Sequence, residues 1–340
     1  MWFQTLALAA AQLAAAQELM RFGCSQLTID QIDPLEQPGI IPSAHMHQFV
    51  GGNSLNATMT PVTYDPSVVS NCTSCTYSQD FSNYWTPSLY YKARNGTYKR
   101  VPQVNNLGLG TVAGITVYYI RGYTENQTVT AFPKGFRMMV GDPTNRAAST
   151  MQKQLCFRCE SNMQQNPFGG APCTGSDTQN FPTQVCGGGW RVTLTFPSCW
   201  DGVNTDSPDH KSHISYPASG TFETDGACPS THPVKIPQVM YEVIFDTRDF
   251  NNQADWPTDG TTPWYWSMGD NTGYGLHGDY LFGWEGNMLQ TAMDTHCASD
   301  NCTALTRQTD QQAIACTKAQ VSGLDIGDDK WLTTLPGIPQ

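Results

Sequence analysis

The chain has 340 residues, with 18 Lys and Arg against 29 Asp and Glu, giving a formal net charge of −11 with only 14% charged residues. Its 11% aromatic content, nine Trp, 30 Gly and 22 Pro describe a loop-rich globular protein, since a disordered chain carries few aromatics and dense charge. The deficit of positive charge excludes nucleic acid and anionic membrane surfaces as natural partners, and a monomer is expected.

Residues 1–16 read as a secretory signal peptide, an apolar run ending in small residues with Ala14 and Ala16 in the A-x-A positions. No later stretch approaches the roughly 20 apolar residues that a spanning helix needs. All twelve Cys lie beyond the cut, as do five N-x-[ST] sequons at Asn56, Asn71, Asn95, Asn126 and Asn301. An even Cys count with sequons predicts a secreted, disulfide-bonded glycoprotein, its pairing left open. The two C-x-x-C units, at Cys72 and Cys156, are 84 positions apart, far from zinc-ribbon spacing.

The mature chain, 17–340, begins with a stretch expected to be irregular, Phe22 to Gly52. Period-two alternation then marks strands at Leu89–Tyr98, Gly114–Tyr123, Arg191–Phe196 and Val239–Asp246. In the last of these Val239, Tyr241, Val243 and Phe245 share a face. Helical spacing is confined to residues 284–294 and Leu305–Ala319. The expected fold is mainly β: one β-sandwich or jelly-roll domain with long disulfide-braced loops, a core over about 20–290 and a helical C-terminal part over about 284–340.

Five of the seven His fall in three settings. His45 and His47 form H-x-H, which on a strand points both rings to one side. His210 and His213 form H-x-x-H beside Asp209, and His277 sits in the glycine-rich run Gly273-Tyr274-Gly275-Leu276-His277-Gly278-Asp279. Two chemistries fit. The His rings with Asp209 would hold one divalent metal, Zn or Cu, or they would act as base and acid with Tyr274 and Arg94 as helpers. Asp209 or Asp279 would orient the rings in either case. Paired carboxylates among Asp201, Asp206, Asp209, Asp270, Asp279 and Glu285 offer a hydrolytic route, although Asp in such loops is ordinarily a turn former. Trp200, Trp264 and Trp266 are candidate platforms for sugar rings, with Asp201 and Asp279 as polar partners. There is no G-x-S-x-G, which argues against a serine hydrolase.

Four segments carry a family resemblance: RFGCSQLTIDQIDPLEQPGIIPSAHMHQFVGGN, CTYSQDFSNYWTPSLYYKARNGTYKRVPQ, FPSCWDGVNTDSPDHKSHISYP and GYGLHGDYLFGW. Together they resemble a fungal secreted family catalogued as a domain of unknown function, over roughly residues 20 to 290. The resemblance implies a fungal origin and association with cell-wall polysaccharides. It places His45, His47, Arg94, Asp201, Asp209, His210, His213, His277 and Asp279 at motif positions without assigning roles. The resulting expectation is an extracellular enzyme that cleaves glycosidic bonds of a wall polysaccharide, a β-glucan such as cellulose, by lyase-type elimination at a His-centred site. Metal-dependent oxidative or hydrolytic cleavage is the second reading, and a non-catalytic wall-binding protein the third.

Overall fold

The structure is a computed structural model describing residues 18–60, 63–103, 113–122, 127–148, 154–162, 171–219 and 226–337. The expected signal peptide and the Asn126 sequon lie outside the described residues. The early strands are β1 (Glu18–Ser25), β2 (Thr28–Asp30), β3 (His47–Gly51), β4 (Asn83–Pro87), β5 (Leu89–Lys92), β6 (Tyr98–Arg100), β7 (Gly114–Gly122) and β8 (Arg137–Gly141). There follow β9 (Leu155–Glu160), β10 (Gly189–Thr195), β11 (Cys199–Trp200), β12 (Ile214–Ser215), β13 (Val234–Lys235), β14 (Gln238–Phe245), β15 (Trp264–Trp266) and β16 (His277–Leu281). Helices are short: α1 (Pro66–Val69), α2 (Met288–Asp294) and α3 (Asp310–Ala315).

Two five-stranded antiparallel sheets, β1-β7-β14-β10-β9 and β2-β3-β4-β16-β8, make a sandwich, flanked by two three-stranded sheets. The alternation in the sequence explains the layering. Val117 and Tyr119 of β7, Val192 and Leu194 of β10, and Tyr241 and Val243 of β14 enter one core with Val50, Tyr84, Met138 and Tyr280 of the second sheet. Each such side chain removed from water contributes about 1.5–3 kcal/mol. The opposite face of the second sheet is also covered, where Phe49, Trp85, Met139 and Leu281 pack under Leu27, Ile32, Leu35 and Leu55.

Three expectations change. The stretch Phe22–Gly52 holds half of β1 and all of β2 and β3, strands too short for their period-two pattern to stand out from the loops around them. Leu89–Tyr98 is a hairpin, β5 and β6, turned at 93–97. The C-terminal part carries a helix in each of the two expected segments, α2 and α3, but is otherwise irregular and wraps back over the body. Lys318 N donates to the Leu27 carbonyl, Val321 N to Asp30, and Tyr98 and Leu332 exchange two backbone hydrogen bonds. Its polar loops find their partners on β2 and β6 rather than within a helix.

All twelve Cys are paired, as Cys24–Cys75, Cys72–Cys316, Cys156–Cys173, Cys159–Cys186, Cys199–Cys228 and Cys297–Cys302. Among the described residues no helix is long and apolar enough to cross a membrane.

Candidate metal centre

The second sheet sets the geometry. His47 pairs with Pro87 across β3 and β4, and Asp279 pairs with Trp85 across β4 and β16. His277, two residues before Asp279, therefore falls on the row of His47 with Pro87 between them, and period two puts both rings on the same face. His45, just before β3, adds the third ring, with centroids 4.2 Å from His47 and 4.9 Å from His277. The Nε2 of His277 is 2.9 Å from that of His45 and 3.5 Å from that of His47.

The other ring nitrogens determine what these contacts mean. His47 Nδ1 lies 3.0 Å from the Ile32 carbonyl, and His277 Nδ1 lies 2.8 Å from the Gly275 carbonyl. A carbonyl only accepts, so both Nδ1 atoms donate and, in the neutral rings, both Nε2 atoms present lone pairs. Burial keeps the rings neutral. It lowers His47 to about 4 and, with help from His47, lowers His277 to about 3. His45 is also held well below its usual value, by burial first and then by His47, His277 and Arg146. The facing lone pairs of His47 and His277 repel, which a cation between them would relieve, while His45 Nε2 stands where it can either donate to the His277 lone pair or face the same cation. Tetrahedral Zn with Zn–N of about 2.0–2.1 Å places its nitrogens roughly 3.3 Å apart, between the two observed separations.

Backbone-fixed Nδ1–H groups are the outer shell that would orient these imidazoles toward a metal. The Gly275 carbonyl is itself held in place. Asp270, fully buried, accepts from the amides of Thr272, Gly273 and Gly275 and from the Thr272 hydroxyl. Gly141 flanks His277 at a φ of +83°, and a Cβ there would come within 2.2 Å of the Leu276 carbonyl.

His45 also lines a cavity of about 510 Å³ with Asp33, Glu36, Asp142 and Arg146. Burial raises Asp33 to about 6, against hydrogen bonds from the Glu36 and Leu35 amides. Glu36 is raised as well, by burial and then by Asp33. These acidic residues were not singled out from the sequence; Asp33 and Glu36 lie in the stretch expected to be irregular. The signal that was available is the Asp33-x-x-Glu36 spacing, which allows one turn to present both carboxylates.

The expected five-His assembly is corrected to three. His213 is buried, donating from Nε2 to the Arg137 carbonyl at 2.9 Å, with Ser207 Oγ on its Nδ1 at 2.8 Å. His210 holds Asp206 at 2.6 Å from a left-handed backbone, φ 54°. Asp209 is no ligand: although burial pushes it upward, hydrogen bonds from the Ser212 and Lys211 amides and the Ser207 and Ser212 hydroxyls hold it well below the usual carboxylate range. Asp201 likewise closes its own turn with Val203 and Asn204. Asp279 is fully buried, and neither carboxylate oxygen has a protein hydrogen-bond partner; it touches no open surface, so it is no substrate contact. Burial, then Asp33 and Glu36, raise it well above the usual range.

Trp264 and Trp266 are 1% and 0% exposed, packed among Trp190, Tyr91, Phe157 and Phe181, and cannot be sugar platforms. Trp200 is half-buried, its Nε1 donating to the Asn204 carbonyl. Arg94 lines a different groove and donates to the Trp256 carbonyl. Tyr274 lies half-buried in the glycine loop, its amide bonded to Thr272.

No curated protein and no solved structure matches the chain. Residues 33–284, which hold all three converging histidines and the acidic cavity, match the model of the family described as Domain of unknown function (DUF1996), and the chain belongs to that family.

Proposed function

We propose that this protein is a metal-dependent enzyme that hydrolyses glycosidic bonds of a neutral extracellular polysaccharide, with the ion held by His45, His47 and His277. The observation carrying this reading is the meeting of three buried Nε2 atoms, two of them left as acceptors by Nδ1–H bonds to backbone carbonyls. Three neutral imidazoles suit Zn or Cu, and such an ion supplies Lewis acidity or, for Cu, redox capacity.

The chain's own residues supply the rest. Asp33 retains a proton in mildly acidic conditions and is suited to hand it to the leaving sugar oxygen as the glycosidic C–O bond breaks, while water adds to the anomeric carbon and gives up its proton to the Glu36 carboxylate. Glu36 and Asp142 on the same wall, against Arg146 as the cation, repel a uronan and tolerate an uncharged glycan. Elimination by a His base is less well supported, because bases near 3 and 4 are too weak for a sugar C–H. Export from the cell and action on fungal cell walls, implied by the sequence motifs, belong to this same proposal.

The test is metal analysis of the purified protein, followed by mass spectrometry of products from soluble and insoluble β-glucans with and without chelator. One equivalent of Zn or Cu per chain, lost in His277→Ala, and products carrying an added water that vanish with chelator, are expected. Oxidised products would replace hydrolysis by the oxidative route at the same ion. Failure to retain Zn or Cu after reloading would overturn the metal centre.

A further inference from the structure

A second groove, of about 610 Å³, shares no lining residue with the acidic cavity. Its floor is aromatic. Tyr91 stacks on Phe250 with ring centroids 4.7 Å apart, and Trp331 meets Tyr91 edge-on at 6.1 Å. Trp331 is 47% exposed, where most aromatic side chains among the described residues are buried. The frame is built in advance. Arg94 N and the Tyr91 hydroxyl both donate to the Asp255 carbonyl, and the segment bearing Trp331 is tied to β6 through the Tyr98–Leu332 pair and the Arg100–Asp328 ion pair. Arg94, Lys99, Asp249 and Asp255 also line the groove, with Asn252, whose amide donates to Asp255, and Asn95, whose amide oxygen accepts from Thr97.

We infer that this groove is a binding site for a neutral oligosaccharide. An exposed indole at the lip of a preformed groove offers a broad apolar face for the C–H side of a pyranose, and its volume is that of an ordinary ligand site. Two cations balanced by two carboxylates and flanked by two amides supply donors and acceptors for hydroxyl groups without net charge. A uronan would meet as many repelling groups as attracting ones, and a wholly apolar ligand would strand the groove's polar atoms. Trp331 lies beyond the segment matched by the family model, so one of the groove's three aromatic side chains comes from outside it. The groove needs no ion at the histidines and stands whether or not that centre is catalytic.

The experiment titrates the secreted protein with cellohexaose and laminarihexaose, with trigalacturonate as the charged comparator, following tryptophan fluorescence and calorimetric heat. Saturable binding of a neutral hexasaccharide is expected, weakened at least tenfold in Trp331→Ala and largely kept in Trp331→Phe. Trp331→Ala should keep the wild-type metal content and melting temperature, so the groove and the metal centre fail or succeed separately. Absence of binding to both neutral sugars, undiminished binding by Trp331→Ala, or preference for trigalacturonate would overturn the inference. So would binding that appears only in Thr97→Ala, which lacks the Asn95 sequon, because the groove would then be filled by the protein's own glycan.

Discussion

At Asp270 one buried carboxylate accepts four hydrogen bonds from Thr272, Gly273 and Gly275, and the loop it freezes presents the carbonyl that orients His277. It is a positioning residue acting through a backbone carbonyl. Asp270→Ala should therefore weaken Zn or Cu affinity by roughly 10–100-fold, measured by competition with a chromophoric chelator. Unchanged affinity would mean that His277 is oriented by its strand alone. His213→Ala makes the opposite case. It leaves the buried Arg137 carbonyl without its donor, at a cost of about 1–3 kcal/mol, and should lower the denaturation midpoint while metal affinity stays at wild type. The H-x-H pair was legible only in part: His47 falls on β3, but His45 lies in the bend before it and reaches the other rings through that bend, not through strand alternation. The H-x-x-H pair was misleading, since a left-handed φ at His210 sends that ring to Asp206, and no residue type announces such a turn in a His.

At the scale of elements, β8 and β16 meet through Gly141, where the positive φ and the 2.2 Å approach to the Leu276 carbonyl exclude a side chain. Gly141→Ala should cost on the order of 1–3 kcal/mol in a urea titration and reduce metal stoichiometry, because His277 pairs with Gly141. A loss below about 0.5 kcal/mol, the size of an ordinary surface substitution, would show that the edge relaxes freely. Strands β7, β10 and β14 were readable because one of their faces is packed with large apolar residues and the other carries Thr, Arg and Glu. Strands β2 and β3 were not, because three and five residues are too short a run for period two to register, and β1 hides its Met20, Phe22 and Cys24 face behind Gly23 and Ser25 next to the irregular loop that follows. The C-terminal segment looked helical from Leu305 onward because helical spacing extends past its true stop at Cys316, where the bridge to Cys72 takes over. The aromatic groove was invisible for a related reason, since Trp331 is brought to Tyr91 only through the Arg100–Asp328 and Tyr98–Leu332 pairings, 228 residues or more apart in sequence.

At the scale of the whole molecule, the two sheets are joined by a polar chain set in an apolar core. Tyr84 donates to Asp80 at 2.5 Å and lies 2.8 Å from Tyr119, whose hydroxyl is 3.0 Å from that of Tyr280 and also accepts from Trp284. Burial pushes Asp80 up to about 7, against hydrogen bonds from Tyr84 and Ser82 that pull it down. In the unfolded chain this carboxyl ionises near 3.8. Between those values the unfolded state releases the proton and the folded state keeps it, so stability falls as pH rises through the window and levels off above about 7. The slope is about 1.4 kcal/mol per pH unit. Asp33, raised to about 6, acts with the same sign. His47 and His277 act with the opposite sign, since they stay neutral in the fold while the unfolded imidazoles bind protons below about 6.5. Asp80→Asn separates one contribution from the rest. It keeps an acceptor for Tyr84 and cannot ionise, so its unfolding free energy relative to wild type should rise by a few kcal/mol between pH 4.5 and pH 8, by chemical denaturation at each pH. A difference that stays flat across that range would mean that Asp80 remains ionised inside the sandwich, with the tyrosine hydroxyls carrying its charge.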